Sequence, residues 1–450
     1  MIGKALAVGE ALGIITSING MVAPAAIPLP PSEEAIEKIQ VLPVALFRKL
    51  DRKLALASNG LAAPYPAVAV IGVGSLGSKC VEILGRQGLE KAVLIDGDRL
   101  YPHNTARHVL LGNSIGFHKA PTLAHFLGIQ HDFDNQEEDS GFTAITEKLT
   151  ASTNSEIDAA LASSGYVLDF SASVSVARAL SALDNAPRCF CAFLTPGADT
   201  FFIHHEDRER TIRLDWLEAI TLRAIVETQE LQHSYTRNSS EIWYGGPCRE
   251  VSTVLPNQKV SLFAVAAAGV FTKHHDSPHA RCIGYNLNPE TMALEAVEIE
   301  PTAPSEARSN EWTIRYDRRL VDQMQSMRAL AFPRETGGVL FGVLDRERMS
   351  CSVVIASPSP LDSEAWPDAY IRGAEGLKDL VDHVKELTTG QLQYVGEWHS
   401  HPPGSSSRPS ETDRVALRIL TEIMGREGLP ALAFIVGEER EPCVTVGWSQ

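Results

Sequence analysis

The stretch that most restricts how this chain can fold is Val70-Ile71-Gly72-Val73-Gly74-Ser75-Leu76-Gly77. An apolar strand, Ala67 to Ile71, runs into it; a helix, Leu76 to Gly85, leaves it; and a second apolar strand, Ala92 to Ile95, follows. That is the β-α-β opening of a parallel sheet with helices on its faces, so the first domain is α/β. The glycines of Gly72-x-Gly74-x-x-Gly77 leave backbone N–H groups and the helix N-terminus free to receive a phosphate without side-chain crowding. Asp96 lies 19 residues past Gly77 at the end of the next strand, where a carboxylate accepts ribose hydroxyls. Taken alone, the pattern also fits a nicotinamide-dependent dehydrogenase.

The residues downstream decide between these readings. The run Asp96-Gly-Asp98-Arg-Leu-Tyr-Pro-His-Asn104-Thr-Ala-Arg107-His108, followed by Gly116-Phe-His-Lys119-Ala120, resembles the D-x-D…N-x-x-R…G-x-x-K-A signature of ThiF-like and ubiquitin-activating enzymes. The resemblance implies a Rossmann-like adenylating domain that uses ATP. Asn104 and Arg107 would contact the nucleotide, and Lys119 would neutralise the triphosphate while a C-terminal carboxylate attacks the α-phosphate. Charge growing at phosphorus needs such fixed cations nearby. The family carries D-x-x-D after the next strand, its second aspartate holding magnesium. Tyr166-Val-Leu-Asp169-Phe-Ser-Ala172-Ser173 keeps only the first. Asp169 or Asp98 could take the ion over, or the triphosphate could hold it; Asp169 could equally be a turn residue capping the helix that begins near Ser173. The zinc-binding CxxC pairs of many relatives are absent.

Gly246-Pro247-Cys248-Arg249, with Pro256 and an Ala-rich helix (Lys259 to Thr272) beyond it, resembles the surroundings of the catalytic cysteine of ubiquitin-activating enzymes. An acyl-adenylate must be captured by a thiolate before it can pass to a conjugating enzyme. A nearby helix N-terminus and Arg249 would lower the thiol pKa of Cys248. A small buried residue is the other reading, and Cys191 is a competing nucleophile.

The C-terminal part changes pattern at Glu298 to Asn310, where Pro301 and Pro304 suggest a linker, taken as 296–310. Beyond it come a strand (Trp312 to Tyr316), a helix (Leu320 to Ala331), paired strands (Gly338 to Leu344, Met349 to Ala356), a helix (Gly376 to Leu387), a strand (Gln393 to His399) and a helix (Asp413 to Met424). The order is that of a compact α+β domain. Inside it stand Glu397-Trp398-His399-Ser400-His401-Pro402 and Ser410-Glu411-Thr412-Asp413, with Glu335 upstream in Glu335-Thr-Gly337-Gly338. On a strand, His399 and His401 project from one face. Asp413, in the first turn of the next helix, can bring a carboxylate to them. Two imidazoles and a carboxylate leave a fourth tetrahedral position open, as in catalytic zinc sites. Glu335 is the candidate general base and Ser410 a candidate oxyanion donor. A helix N-capping box is the plainer reading of Ser410-x-x-Asp413, and both can hold at once. The set resembles the JAMM metallopeptidase pattern, E…HxHP…SxxD, which implies a cytidine-deaminase-like α+β fold and isopeptidase chemistry. The spacer between His401 and Ser410 has eight residues where seven is usual; its Pro, Gly and Ser content suggests a loop that absorbs the extra one.

At 450 residues the chain exceeds one core, and residues 1–60, 61–295 and 311–450 are expected to be separate segments. A net charge of -16 repels phosphate backbones, so nucleic acid is not an expected partner. Seven scattered cysteines indicate no disulfide framework and fit a reducing cytoplasm. Glu10 and Gly13 interrupt the apolar opening run, so neither secretion nor membrane insertion is expected. The two resemblances together imply one domain that adenylates, and through Cys248 could thioesterify, the C-terminal glycine of a ubiquitin-like protein, and another that cleaves the bond after such a glycine. Such fusions resemble bacterial ubiquitin-like conjugation modules, including those of phage defence. The implied partners are a ubiquitin-like protein, a conjugating enzyme and a second copy of the chain, and the implied cofactors zinc, ATP and magnesium. Sulfur-carrier activation, or a binding module with an inactive adenylation site, are the alternatives.

Overall fold

A computed structural model describes residues 2–27, 29–39, 51–130, 141–149, 154–196, 199–235, 241–243, 251–253 and 255–448. The chain divides into two compact units, Met1–Lys49 and Leu50–Gln450. The first holds helix α1 (Ile2–Ala11), a hairpin of β1 (Ile15–Ile18) and β2 (Met21–Pro24), and a short helix α2 (Glu33–Glu37) whose first turn is capped by Ser32.

The second unit opens with α3 (Arg52–Ser58), so the expected N-terminal segment 1–60 ends earlier, at Lys49. It docks on the α/β half, where Asn59 Nδ2 donates to the Arg86 carbonyl at 3.3 Å. Two turns are too short a period to announce themselves as part of a domain. There follow β3 (Val68–Ile71), α4 (Ser75–Arg86), β4 (Ala92–Ile95), α5 (Lys119–Gln130), β5 (Phe142–Ile145), α6 (Ser155–Ala162), β6 (Tyr166–Asp169), α7 (Val174–Ala182), β7 (Arg188–Leu194), β8 (Thr200–His205), α8 (Leu214–Glu227), β9 (Glu241–Trp243), β10 (Val251–Thr253), α9 (Asn257–His274), β11 (Arg281–Leu287) and β12 (Leu294–Ile299).

Their main sheet runs β12-β11-β8-β7-β6-β3-β4-β5, parallel from β7 to β5 and antiparallel beyond. Alternate residues of each strand feed opposite faces. Val68 and Val70 enter a core with α4, α5 and α9, whereas Ala69 and Ile71 enter one with α6, α7 and α8. The chain reverses direction across the sheet between β3 and β6, and the crevice outside the carboxyl ends of those strands is where α/β sheets bind ligands.

The second sheet is built from β13 (Pro304–Ser309), β14 (Trp312–Asp317), β15 (Gly337–Asp345), β16 (Ser350–Ala356), β19 (Gln393–Ser400), β20 (Ala431–Val436) and β21 (Cys443–Gly447), in the order β13-β14-β16-β15-β19-β20-β21. Helices α10 (Arg318–Ala331), α11 (Leu377–Leu387) and α12 (Glu411–Gly425) and a small hairpin of β17 (Glu364–Ala365) with β18 (Tyr370–Ile371) complete this half. Among the described residues, no helix is long and apolar enough to cross a membrane.

The expected linker 296–310 is mostly strand: β12 closes one sheet and β13 opens the other. Nor are the two halves loosely tethered. Val339, Phe341, Val343 and Val354 of the second sheet share one core with Leu217, Ile220 and Leu222 of α8. At the same seam, Arg223 of α8 pairs with Asp317 at 2.8 Å, and both side chains are buried. Asp317 also accepts from Thr302 Oγ1 at 2.5 Å and caps α10 through the Leu320 amide at 2.9 Å. Burial alone would raise its pKa, but Arg223, Thr302 and the amide outweigh it and hold the carboxyl below its ordinary range.

Asp317→Ala is expected to destabilise this unit by about 3–5 kcal/mol, because it strands the buried Arg223 guanidinium. Since the folded pKa is depressed, the contribution is present above the unfolded pKa of Asp and fades as pH falls through the folded value. Urea unfolding of wild type and variant across that range checks this; equal midpoints at neutral pH would refute it.

Candidate metal centre and nucleotide site

His399 and the residues around it are clamped from both sides. Gly337 of β15 pairs with His399 of β19, the Ser400 amide donates to the Thr336 carbonyl at 2.7 Å, and the His401 amide to the Val436 carbonyl at 2.8 Å. Ser400, between the two histidines, points to the opposite face, where its Oγ accepts the Thr336 amide at 3.0 Å. A Cβ on Gly337 would lie 2.4 Å from the Trp398 carbonyl oxygen, and one on Gly338 2.3 Å from that of Ser357. Both glycines are therefore needed for β15 to lie this close. The close pairing carries Glu335, two residues before Gly337, to the histidine end of β19.

Asp413 arrives from α12, where Ser410 is the N-cap: Ser410 Oγ accepts from the Asp413 amide at 3.2 Å, and Asp413 Oδ2 accepts from the Ser410 amide at 2.6 Å. The capping box exists, and it fixes the carboxylate that faces the imidazoles. His399 Nε2 lies 3.0 Å from Asp413 Oδ1 and His401 Nε2 3.2 Å from Oδ2. These spacings suit a shared ion, because ligands about 2.0–2.1 Å from a tetrahedral zinc stand about 3.3 Å apart. His399 Nε2 is buried with Asp413 as its near neighbour, and the His401 Nδ1–H donates to the Ser406 carbonyl at 2.6 Å, which leaves its Nε2 lone pair toward Asp413. Among the described residues, these are the three that could hold a metal ion.

Burial would raise the Asp413 pKa, yet the two imidazoles and Ser410 hold it well below the usual carboxylate range, and the same contact raises that of His401. Burial raises Glu335, the imidazoles pull it back, and Asp413 and Asp368 push it up. A cavity of about 480 Å³ opens beside the cluster, with Arg372 and Glu397 on one wall and Leu417, Leu420 and Ile423 of α12 on the other.

Three residues that no motif flagged position the centre. Arg328 donates to the carbonyls of His401 and Pro402 at 2.9 and 3.2 Å and pairs with Glu438 at 2.9 Å. Glu438 and Glu439 accept from the amides of Gly404 and Ser407 at 2.9 and 2.7 Å. The eight-residue spacer is thus pinned along its length.

In the other half, the three glycines of the Gly72-x-Gly74-x-x-Gly77 loop differ in what surrounds them. Gly72 has φ +80°, and a Cβ there would lie 2.8 Å from the Ser171 backbone. A Cβ on Gly77 would strike the Gly72 carbonyl oxygen at 2.1 Å, whereas one on Gly74 would meet open space. Gly74 is the N-cap of α4 without a side-chain cap, so the helix presents unsatisfied N–H groups. Asp96 steadies the loop by accepting from the Val73 amide at 2.9 Å and from that of Asp98 at 2.8 Å. His108 donates Nε2–H to the Val73 carbonyl at 2.8 Å, and burial pushes its pKa down to about 4, so the ring is neutral.

A cavity of about 270 Å³ is lined by Gly72, Asp96, Asp98, Lys148, Ser171 and Ser173 among others. Lys119, the first residue of α5, is buried and reaches Asp98 Oδ2 at 3.1 Å. Arg107 Nη1 reaches the Leu255 carbonyl at 3.5 Å, and Asn104 Oδ1 accepts the Tyr101 amide at 2.9 Å. Asp169 is not among the residues that line this cavity. It is fully buried, ties the Ser171 amide at 2.9 Å and faces Cys191 Sγ at 3.6 Å, the arrangement of a turn residue. Cys191 is itself buried, and burial with Asp169 beside it raises its thiol pKa well above normal, which disfavours the thiolate a nucleophile needs. Cys248 lies outside the described residues.

Residues 317–445 match the family of prokaryotic homologs of the JAB domain. A "CD-NTase/cGAS isopeptidase" of Enterobacter hormaechei subsp. hoffmannii (strain UCI 50) is 38% identical over 102 residues, 23% of this chain and 54% of that protein. The chain thus spans about half the length of this curated relative. Two solved structures overlap about half of the chain: selenomethionyl PaaA (14% identity, 55% of this chain and 66% of that one, TM-score 0.36) and E. coli MccB (12%, 53% and 63%, TM-score 0.35). The protein joins a Rossmann-like α/β domain, whose residues resemble the ThiF-like signature save for Ala172, to a C-terminal JAB-type α+β domain.

Proposed function

We propose that this protein is a bifunctional enzyme of ubiquitin-like protein chemistry, adenylating a C-terminal glycine with one half and hydrolysing the peptide or isopeptide bond after such a glycine with the other. The observation that carries the reading is the convergence of Glu335, His399, His401 and Asp413 beside an open cavity, in a chain that also holds a phosphate-receptive loop next to a lysine. When bound by His399, His401 and Asp413, zinc supplies Lewis acidity for water activation and carbonyl polarisation. Glu335 takes the proton of the attacking water and returns it to the leaving amine. The Ser410 hydroxyl, whose oxygen caps α12, still has its proton to donate to the developing oxyanion. The name of the relative, a CD-NTase/cGAS isopeptidase, suggests conjugates of such an enzyme as substrates, and the resemblance to bacterial conjugation modules suggests phage defence as the setting.

In the nucleotide half, a carboxylate oxygen of the substrate attacks the α-phosphorus. The new P–O bond forms as the bond to pyrophosphate breaks, and Lys119 and Arg107 hold the charge that develops. Incubation with ATP, labelled pyrophosphate and the ubiquitin-like protein tests this half directly: exchange supports it, whereas tight nicotinamide dinucleotide binding without exchange would replace it with a dehydrogenase.

Cys248 is the proposed thioester nucleophile. Cys248→Ala is expected to keep pyrophosphate exchange, which precedes the thiol step, and to lose the reducing-agent-sensitive adduct. An adduct that survives the substitution places the thiol elsewhere, and transfer without any adduct favours the sulfur-carrier alternative.

A further inference from the structure

The two carboxylates that the sequence offered as magnesium ligands are both engaged. Asp169 is buried against Ser171 and Cys191, away from the nucleotide cavity. Asp98 holds an ammonium group on each oxygen: Lys119 Nζ at 3.1 Å from Oδ2 and Lys148 Nζ at 2.7 Å from Oδ1. At the position of the family's second aspartate stands Ala172, which has no ligand atom to offer. At Asp98 itself two lysines meet one carboxylate, with Asp96 and Glu147 also on the cavity lining.

Lys148 reaches that point through a close fit. A Cβ on Gly97 would lie 3.0 Å from Lys148 Cγ and 3.2 Å from both the Glu147 carbonyl carbon and the Lys148 amide nitrogen. A glycine between Asp96 and Asp98 lets the segment after β5 lie against the loop after β4, which brings Lys148 over the Asp98 carboxylate. Its side chain remains 64% exposed, so it can exchange one anionic partner for another, and it lines the same cavity as Asp96, Gly72 and Ser171.

We propose that Lys148 is a second triphosphate-binding lysine, acting beside Lys119 on the other oxygen of Asp98. This inference rests on the adenylation reading. Because the two ammonium groups sit on the two oxygens of one carboxylate, a phosphate that reaches Lys119 comes within reach of Lys148. Lys148 then trades its bond to Asp98 for a charge-assisted bond to a phosphate oxygen.

Equilibrium binding of a non-hydrolysable ATP analogue and of adenosine to the full-length protein, by calorimetry with magnesium present, tests it. Lys148→Met is expected to weaken the analogue about tenfold and leave adenosine unchanged, while Lys148→Arg retains most of the affinity. Unchanged analogue affinity, or an equal loss for adenosine, overturns the proposal. The same substitution made on Asp98→Asn separates direct contact from support: a further loss there is expected, and no further loss would reduce Lys148 to a partner of Asp98 and overturn it too. Failure of the wild-type protein to bind the analogue would instead sink the adenylation reading.

Discussion

Glu335→Gln is expected to keep a full equivalent of zinc and lose about 10²–10⁴ in the rate of cleavage, the usual contribution of a positioned general base. The substitution preserves size and removes only the ability to take a proton. His399→Ala combined with His401→Ala should do the reverse to the metal, since one carboxylate cannot hold a catalytic zinc alone. Elemental analysis with hydrolysis of a ubiquitin-like fusion separates the two effects. Zinc retained at one equivalent in the double variant would refute the ligand assignment, and near-normal cleavage by Glu335→Gln would exclude that residue as the base. The wild-type contacts make the prediction specific. His399 Nε2 is buried and faces Asp413 Oδ1 at 3.0 Å, where a shared ion would sit. His401 already has its tautomer set by Ser406.

The parts legible beforehand are those where a short local pattern carries the chemistry. Val68–Ile71 is apolar throughout because β3 is buried on both faces, and the strand, glycine loop and helix could be read in order. His399 and His401 were readable because alternation on a strand fixes their common face. The expected linker failed for an equally physical reason. β12 and β13 are the edge strands of their sheets: β12 sets two glutamates among its apolar residues, β13 is polar, and Pro304 can begin an edge strand without breaking a ladder. Composition therefore reads as loop where the backbone is strand. Helix α8 concealed the shared core in the same way. Eleven of its 14 residues are buried, including Glu218, Thr221 and Arg223, which look like a solvated face until Arg178 and Asp317 are seen beside Glu218 and Arg223. Arg328, Glu438 and Lys148 had no signal either, because a single charge that acts across 30 or more residues leaves no spacing to recognise.

Lys119→Ala should lower ATP–pyrophosphate exchange by about 10²–10³, with a much smaller change in ATP affinity, if its charge acts mainly on the transition state. The geometry favours that split. Lys119 is buried at the start of α5 and held by Asp98, so its ammonium is fixed before nucleotide arrives and costs little reorganisation during the reaction. Exposed Lys148, by contrast, must leave a partner to bind, which suits a contribution to affinity. The two substitutions should therefore separate, Lys119→Ala in the exchange rate at saturating ATP and Lys148→Met in binding. Removing Lys119 also deprives Asp98 of one partner, so thermal unfolding must accompany the kinetics. A variant that melts like wild type but exchanges hundreds of times more slowly locates the loss in chemistry. Exchange within a few-fold of wild type would show that the buried lysine serves only Asp98, and the adenylation mechanism would need another cation at the α-phosphate.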